Sequence, residues 1–214
     1  MRHLYLAAGL AALLSSSVLA GPPQAAPAPA TNPLLAPWTG PYGGVPPWDK
    51  VKPELFPAAF EAALAERKQD YDRIANNPAK PTFANTFVPM QNAGQTLNRV
   101  MTLFGVMTGN MNTPAYQALD REWSPKLSKA SDEITFNPKL FARIEAIYKA
   151  RDTSGLDAQQ KRLVTRTYDS FVRQGAKLTP AQKEELSAFN QNLAINFSGF
   201  SQRLLADEGT AIIV

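Results

Sequence analysis

Few residues in this chain have types and spacing suited to chemistry. They are the adjacent acids Asp132-Glu133 and Glu184-Glu185, the methionines Met101, Met107 and Met111, and the scattered serines, threonines and lysines. Neighbouring positions on a helix point about 100° apart, so neither acidic pair converges on a hard cation; both read as solvated surface. Three thioethers suit a soft metal, but two of these flank the apolar end of a helix, where core packing or a loop explains them. A Ser–Lys or Thr–Lys dyad needs only residues that are plentiful here, and no spacing singles one out. The chain has no cysteine, and its one histidine is His3. Thiol catalysis, thiolate metal sites and Ser–His chemistry are therefore excluded, and no H-E-x-x-H zinc helix is present. No catalytic, cofactor-binding or metal-ligating residue is assigned to this chain.

His3 itself belongs to a leader. Arg2 and His3 precede an apolar run from Leu4 to Leu14, and Ser15-Ser16-Ser17 leads to Val18-Leu19-Ala20. That pattern predicts a secretory signal peptide over 1–20, too short for a membrane span. With no cysteine after the run, a lipid anchor is not expected. The formal net charge of +4 is spread along the sequence with no Lys/Arg run, so a nucleic-acid stripe is not expected. Residues 21–214 are enough for one domain with a proper core, held by packing without disulfides.

Residues 21–52 read as a Pro/Gly-rich linker and extended arm. Trp38, Tyr42 and Trp48 lie among its prolines and glycines, and such aromatics can pin an arm to a folded surface. Gly40, Gly43 and Gly44 fit turn chemistry rather than a phosphate loop, since they do not join a strand to a helix.

From Pro53 onward the periodicity is helical. Phe60, Leu64, Tyr71 and Ile74 give a first stripe, ended by Asn76-Asn77-Pro78. Thr82 caps a stretch carrying Phe83, Phe87, Leu97, Val100 and Phe104, which Pro89 should kink or split. Thr113-Pro114 and Asn137-Pro138 open two more helices with proline at the first position. Asp157 with Gln160 and Thr179 with Gln182 have capping-box spacing, and Gly175 closes the helix between them. Leu186, Phe189, Leu193, Phe197, Phe200 and Leu204 stripe the last helix. Asn196-Phe197-Ser198 matches a glycosylation sequon, but Phe197 is expected on the buried side. The predicted fold is all-α: an antiparallel array of about six helices over 53–208.

Three stretches carry a family resemblance. They hold Pro41-Tyr42-Gly43, Pro46-Pro47-Trp48, Phe60-Glu61, Pro81-Thr82-Phe83, Asn85-Thr86, Ser124-Pro125-Lys126-Leu127, Leu140-Phe141 and Gly175-Ala176-Lys177-Leu178. In this order the sequence resembles the N-terminal helical region of the thimet oligopeptidase family of zinc metallopeptidases, on its bacterial peptidyl-dipeptidase branch. Relatives often have a histidine where this chain has Leu55. The resemblance implies that zinc, its H-E-x-x-H helix and the catalytic residues lie in a C-terminal catalytic region with no counterpart here. It also implies that these residues wall a channel admitting oligopeptides.

The expected function is thus the channel-wall portion of an exported, periplasmic peptidase, inert alone, with oligopeptide substrate and a C-terminal catalytic half as partners. No nucleic acid is expected as a partner, nor a membrane after signal cleavage. Residues 209–214, with Ala211, Ile212, Ile213 and Val214, read as the start of an interrupted continuation. On this reading the isolated piece exposes apolar surface. The competing reading is a stand-alone helical peptide-binding or chaperone-like module, well folded by itself.

Overall fold

Short polar caps and prolines decide where the helices begin. The computed structural model describes residues 32–208; residues 1–31, where the signal peptide and the start of the linker are expected, and residues 209–214 lie outside them. Seven α-helices follow one another among the described residues: α1 (Phe56–Ala75), α2 (Phe83–Asn92), α3 (Gln95–Asn110), α4 (Pro114–Thr135), α5 (Pro138–Ala150), α6 (Ala158–Arg173) and α7 (Pro180–Glu208). Among the described residues no strand accompanies them, only an isolated antiparallel bridge between Thr39 and Val45.

The caps form as their spacing predicts. Asp157 and Gln160 exchange both capping-box bonds at α6. Thr179 accepts from the Gln182 N–H at 3.4 Å, and Gln182 Oε1 accepts from the Thr179 N–H at 3.0 Å. Asn137 accepts from the N–H groups of Lys139 and Leu140, and Thr82 forms a third box with Asn85. The stretch predicted to kink at Pro89 divides instead at Ala93–Gly94. Pro89 stays inside α2, while Gly94 takes φ +70° and donates its N–H to Asp70 Oδ2 at 2.9 Å.

α1 runs through two apolar clusters. Its first half packs Phe56, Ala59, Phe60 and Ala63 against α3 (Val100, Leu103, Phe104) and α4 (Tyr116, Trp123), with Leu34 and Val51 of the arm closing one side. Its second half packs Ile74 and Ala75 against Phe87 of α2, Leu140, Ile144 and Ile147 of α5, and Val164 of α6. The first cluster is aromatic: the Phe60 ring centroid lies 5.7 Å from Phe56, 5.2 Å from Phe104 and 5.0 Å from Trp123. Burial raises the pKa of the Tyr116 phenol beside them, with Glu54 adding to the shift.

The arm is pinned by fewer aromatics than its sequence offers. Trp38 packs on the first cluster, whereas Tyr42 stands fully in solvent and Trp48 is 44 % exposed. The intervening glycines serve turns: Gly44 has φ +111°, and a Cβ there would sit 2.7 Å from the Trp38 backbone.

Between α5 and α6 the seam is a stack of rings, with Tyr148 and Tyr168 centroids 3.9 Å apart and nearly parallel. Glu145 borders it, and hydrogen bonding from Lys149 holds its carboxyl below the usual carboxylate range, with Lys177 assisting.

α6 ends at Gly175 by a Schellman turn. The Ala176 N–H reaches Phe171 O at 2.9 Å, and the Gly175 N–H reaches Val172 O at 3.1 Å, satisfying two carbonyls the helix would leave open. Gly175 has φ +97°, and a Cβ would lie 2.7 Å from Leu186 Cδ2. Gly175→Ala should therefore cost about 2 kcal/mol or more, combining left-handed strain with overpacking. The check is a lowered urea midpoint at unchanged m.

Candidate functional site

The candidate functional surface of this chain is α7, together with what it turns toward and away from α4. α7 lies antiparallel to α4: Asn190 meets Asp132, Ser198 meets Asp120, and Gln202 meets Gln117. The seam is polar along its length. Asn190 Nδ2 donates to Asp132 Oδ1 at 2.9 Å, and the Ser198 hydroxyl donates to Asp120, which also accepts from Ser124 at 2.9 Å. Gln202 Nε2 donates to Gln117 O at 3.0 Å and its side-chain oxygen accepts from Arg121. Near the start of α7, Lys183 donates to Phe136 O at 3.2 Å. Asp132 and Ser198 are buried in this seam, and Asp132 Oδ2 has no hydrogen-bond partner.

Turning polar groups inward leaves the apolar ones outside. Phe189, Leu193, Phe197, Phe200 and Leu204 are 63, 41, 63, 62 and 47 % exposed. The expectation that Phe197 is buried is thus corrected. α4 offers α7 carboxylates, hydroxyls and amides, so burying a phenyl ring there would strand them without partners. The row is also no membrane span; among the described residues no helix is long and apolar enough to cross one. A contiguous apolar row of this size on one helix marks an interaction surface.

The residues singled out by sequence do not assemble a reactive centre. Asp132 points into the α4–α7 seam while Glu133 is exposed beside Lys68 and Asp72, in a cleft of ≈ 310 Å³ between α1 and α4. Lys68 donates to Asp72 at 2.6 Å, and that bond raises its pKa. Glu184 and Glu185 are both exposed. Met107 packs on the first cluster, whereas Met101 and Met111 are 37 and 58 % exposed. The sequon serine, Ser198, is occupied by Asp120. Among the described residues no lysine ammonium hydrogen-bonds a serine or threonine hydroxyl. Nor do three His, Asp or Glu side chains converge there as a metal would need.

The polar seam was missed by reading apolar stripes alone. Its signal is Ser187, Asn190, Ala194, Ser198 and Gln202, small or polar residues spaced by three or four along α7, which trace one face of a helix as surely as leucines do.

Comparison with known proteins gives this helical region its class: it is homologous to bacterial peptidases, over their N-terminal region. No family model matches the chain. Dipeptidyl carboxypeptidase of Escherichia coli K12 is 35 % identical over 175 residues, covering 82 % of this chain and 26 % of that protein. The Salmonella typhimurium protein of the same name is 36 % identical over 176 residues, again 82 % and 26 %. Oligopeptidase A of Escherichia coli K12 is 24 % identical over 155 residues, 72 % of this chain and 22 % of its own length. The chain thus spans about a quarter of the length of the curated relatives it matches.

Proposed function

We propose that residues 53–208 form the N-terminal wall of the substrate channel in an exported zinc peptidase acting on oligopeptides, with the catalytic chemistry supplied by a C-terminal region. The observation that carries this reading is the uncovered apolar face of α7, on a helix whose other side is already committed to α4. Homology to peptidases about four times longer than the matched region supplies a natural cover for that face. The wall's contribution is steric: it narrows access to unstructured chains. Residues 1–20 act as the export signal and direct the protein to the periplasm.

Co-production tests the reading. The chain is expressed with the segment of Escherichia coli dipeptidyl carboxypeptidase that follows the matched region. Chelator-sensitive hydrolysis of a short blocked peptide should arise only when both pieces are present, from a metal-activated water held by the second piece. Lack of association and of activity would sink the proposal, as would a stop codon directly after Val214. A chain that binds unfolded peptides tightly while ignoring the second piece would favour the chaperone-like module. N-terminal sequencing of the secreted product should begin at Gly21.

A further inference from the structure

We propose that the tip of the arm, residues 40–45 with Tyr42 at its point, is an anchor that docks into the C-terminal catalytic region. The inference rests on the peptidase reading and adds to it a second contact, on an element separate from α7. The root of the arm is firmly held. Leu34 is fully buried, and Trp38 packs on the first cluster. Asn32 Nδ2 donates to Leu55 O at 2.8 Å, and Arg99 Nη2 donates to Leu35 O at 3.2 Å. The tip is closed on itself: the Val45 N–H reaches Thr39 O at 3.0 Å, and the Gly44 N–H reaches Pro41 O at 3.1 Å.

This frame holds out a bare ring. Tyr42 is fully exposed, and Val45 is 54 % exposed beside it in the sequence. The Tyr42 backbone sits at φ +58°, ψ +29°, and among the described residues no other non-glycine has a positive φ. Glycine adopts that left-handed conformation freely, whereas an L side chain resists it. Glycine fills positions 40, 43 and 44, yet a tyrosine stands where the geometry favours glycine or asparagine. A side chain wholly in solvent gives nothing back to the folded chain, so folding alone does not account for the ring. Strain held in place by a well-fixed frame marks a site of function. Tyrosine suits an anchor, because it carries a large contact area with few rotatable bonds.

The match with longer proteins points to the partner. A match over 175 residues of a 214-residue chain begins no later than residue 40. The tip therefore lies within the part shared with dipeptidyl carboxypeptidase of Escherichia coli, a protein about four times as long as that part. The surface that Tyr42 fits is an apolar pocket on the catalytic region with one polar group for the phenol hydroxyl.

The test uses this chain co-produced with the segment of Escherichia coli dipeptidyl carboxypeptidase that follows the matched region. A benzophenone amino acid in place of Tyr42 should cross-link to that segment on irradiation. Tyr42→Asn should leave the urea midpoint of the chain alone unchanged or raised, since asparagine tolerates the left-handed region. The same variant should weaken the pair by about tenfold or more, the loss expected of an aromatic anchor. The readout is the concentration at which diluting the pair abolishes chelator-sensitive hydrolysis. Tyr42→Phe, which keeps the ring, should retain most of the affinity. A ring that served only the arm's own fold would do the reverse, lowering the midpoint when replaced and leaving the pair as strong. An unweakened pair with Tyr42→Asn overturns the proposal and leaves the peptidase reading standing. So does cross-linking to a second copy of this chain, or to added oligopeptide, in place of the segment. Failure of the unaltered chain to associate at all overturns both.

Discussion

Phe60→Ala is expected to be the most damaging single substitution in this chain, lowering stability by about 3–5 kcal/mol. Phe60 is fully buried on α1 and its ring meets three others, Phe56, Phe104 and Trp123. Truncation removes the apolar burial and leaves a ring-sized hole that neighbours on three different elements would have to close together. A domain of this kind has about 5–15 kcal/mol to lose, and no disulfide limits the unfolded state. The damage reaches the candidate surface, because Trp123 and Tyr116 fix the inner side of α4 while α7 rides on its outer side. Urea titration followed by circular dichroism should show the lowered midpoint. In the same samples, the α7 helix should lose protection from hydrogen exchange.

Arg143→Met is expected to cost about 2–4 kcal/mol, although methionine fills similar space and burial favours it. Arg143 is 6 % exposed and, among the described residues, has no carboxylate partner. Its donors end on neutral acceptors: Nη1 on the carbonyls of Asn77 and Ala79 at 2.7 and 3.1 Å, Nη2 on Asn85 Oδ1 at 2.8 Å, and Nε on Thr86 Oγ1 at 3.3 Å. Burial lowers its pKa from the usual value, yet an arginine so far above neutrality stays charged. One side chain of α5 thereby ties down the link between α1 and α2 and the first turn of α2. Methionine would take their donor from the buried Thr86 hydroxyl and the half-buried Asn77 carbonyl and Asn85 side chain, at about 1–3 kcal/mol for a buried group left unpaired. Arg143→Lys should recover little, because a single ammonium cannot span acceptors on both sides. Arg162→Met, on the exposed side of α6, should change the urea midpoint by an amount near the error of measurement.

Neither position is equally visible in the sequence. Phe60 stands on an apolar stripe with Leu64 and Ile74, so its burial follows from spacing. Arg143 looks like any basic residue of an amphipathic helix, because its partners are backbone carbonyls more than sixty residues away in sequence. The caps of α2, α5, α6 and α7 were legible for the same reason as Phe60. Asp157 with Gln160, Thr179 with Gln182, and Asn137 before Pro138 act within one turn, where sequence distance and spatial distance agree. The break at Gly94 was less so, since it depends on Asp70 of a different helix accepting the freed N–H.

Local rules therefore determined the all-α class, the helix starts, the stripes that form the two clusters, and a chain with no thiol and His3 as its one imidazole. Homology to the N-terminal region of dipeptidyl carboxypeptidase was legible too, in motifs such as Pro81-Thr82-Phe83 and Gly175-Ala176-Lys177-Leu178. Which side of α7 faces inward was decided only in three dimensions. Its apolar row and its polar face are both regular, and either could have been the buried one. The choice fell to α4, whose apolar side was already taken by α1 and α3, leaving Asp120, Ser124 and Asp132 to be satisfied. Buried polar groups without partners cost more than exposed phenyl rings do, so the hydrogen bonds went inward and the aromatic row was left facing out.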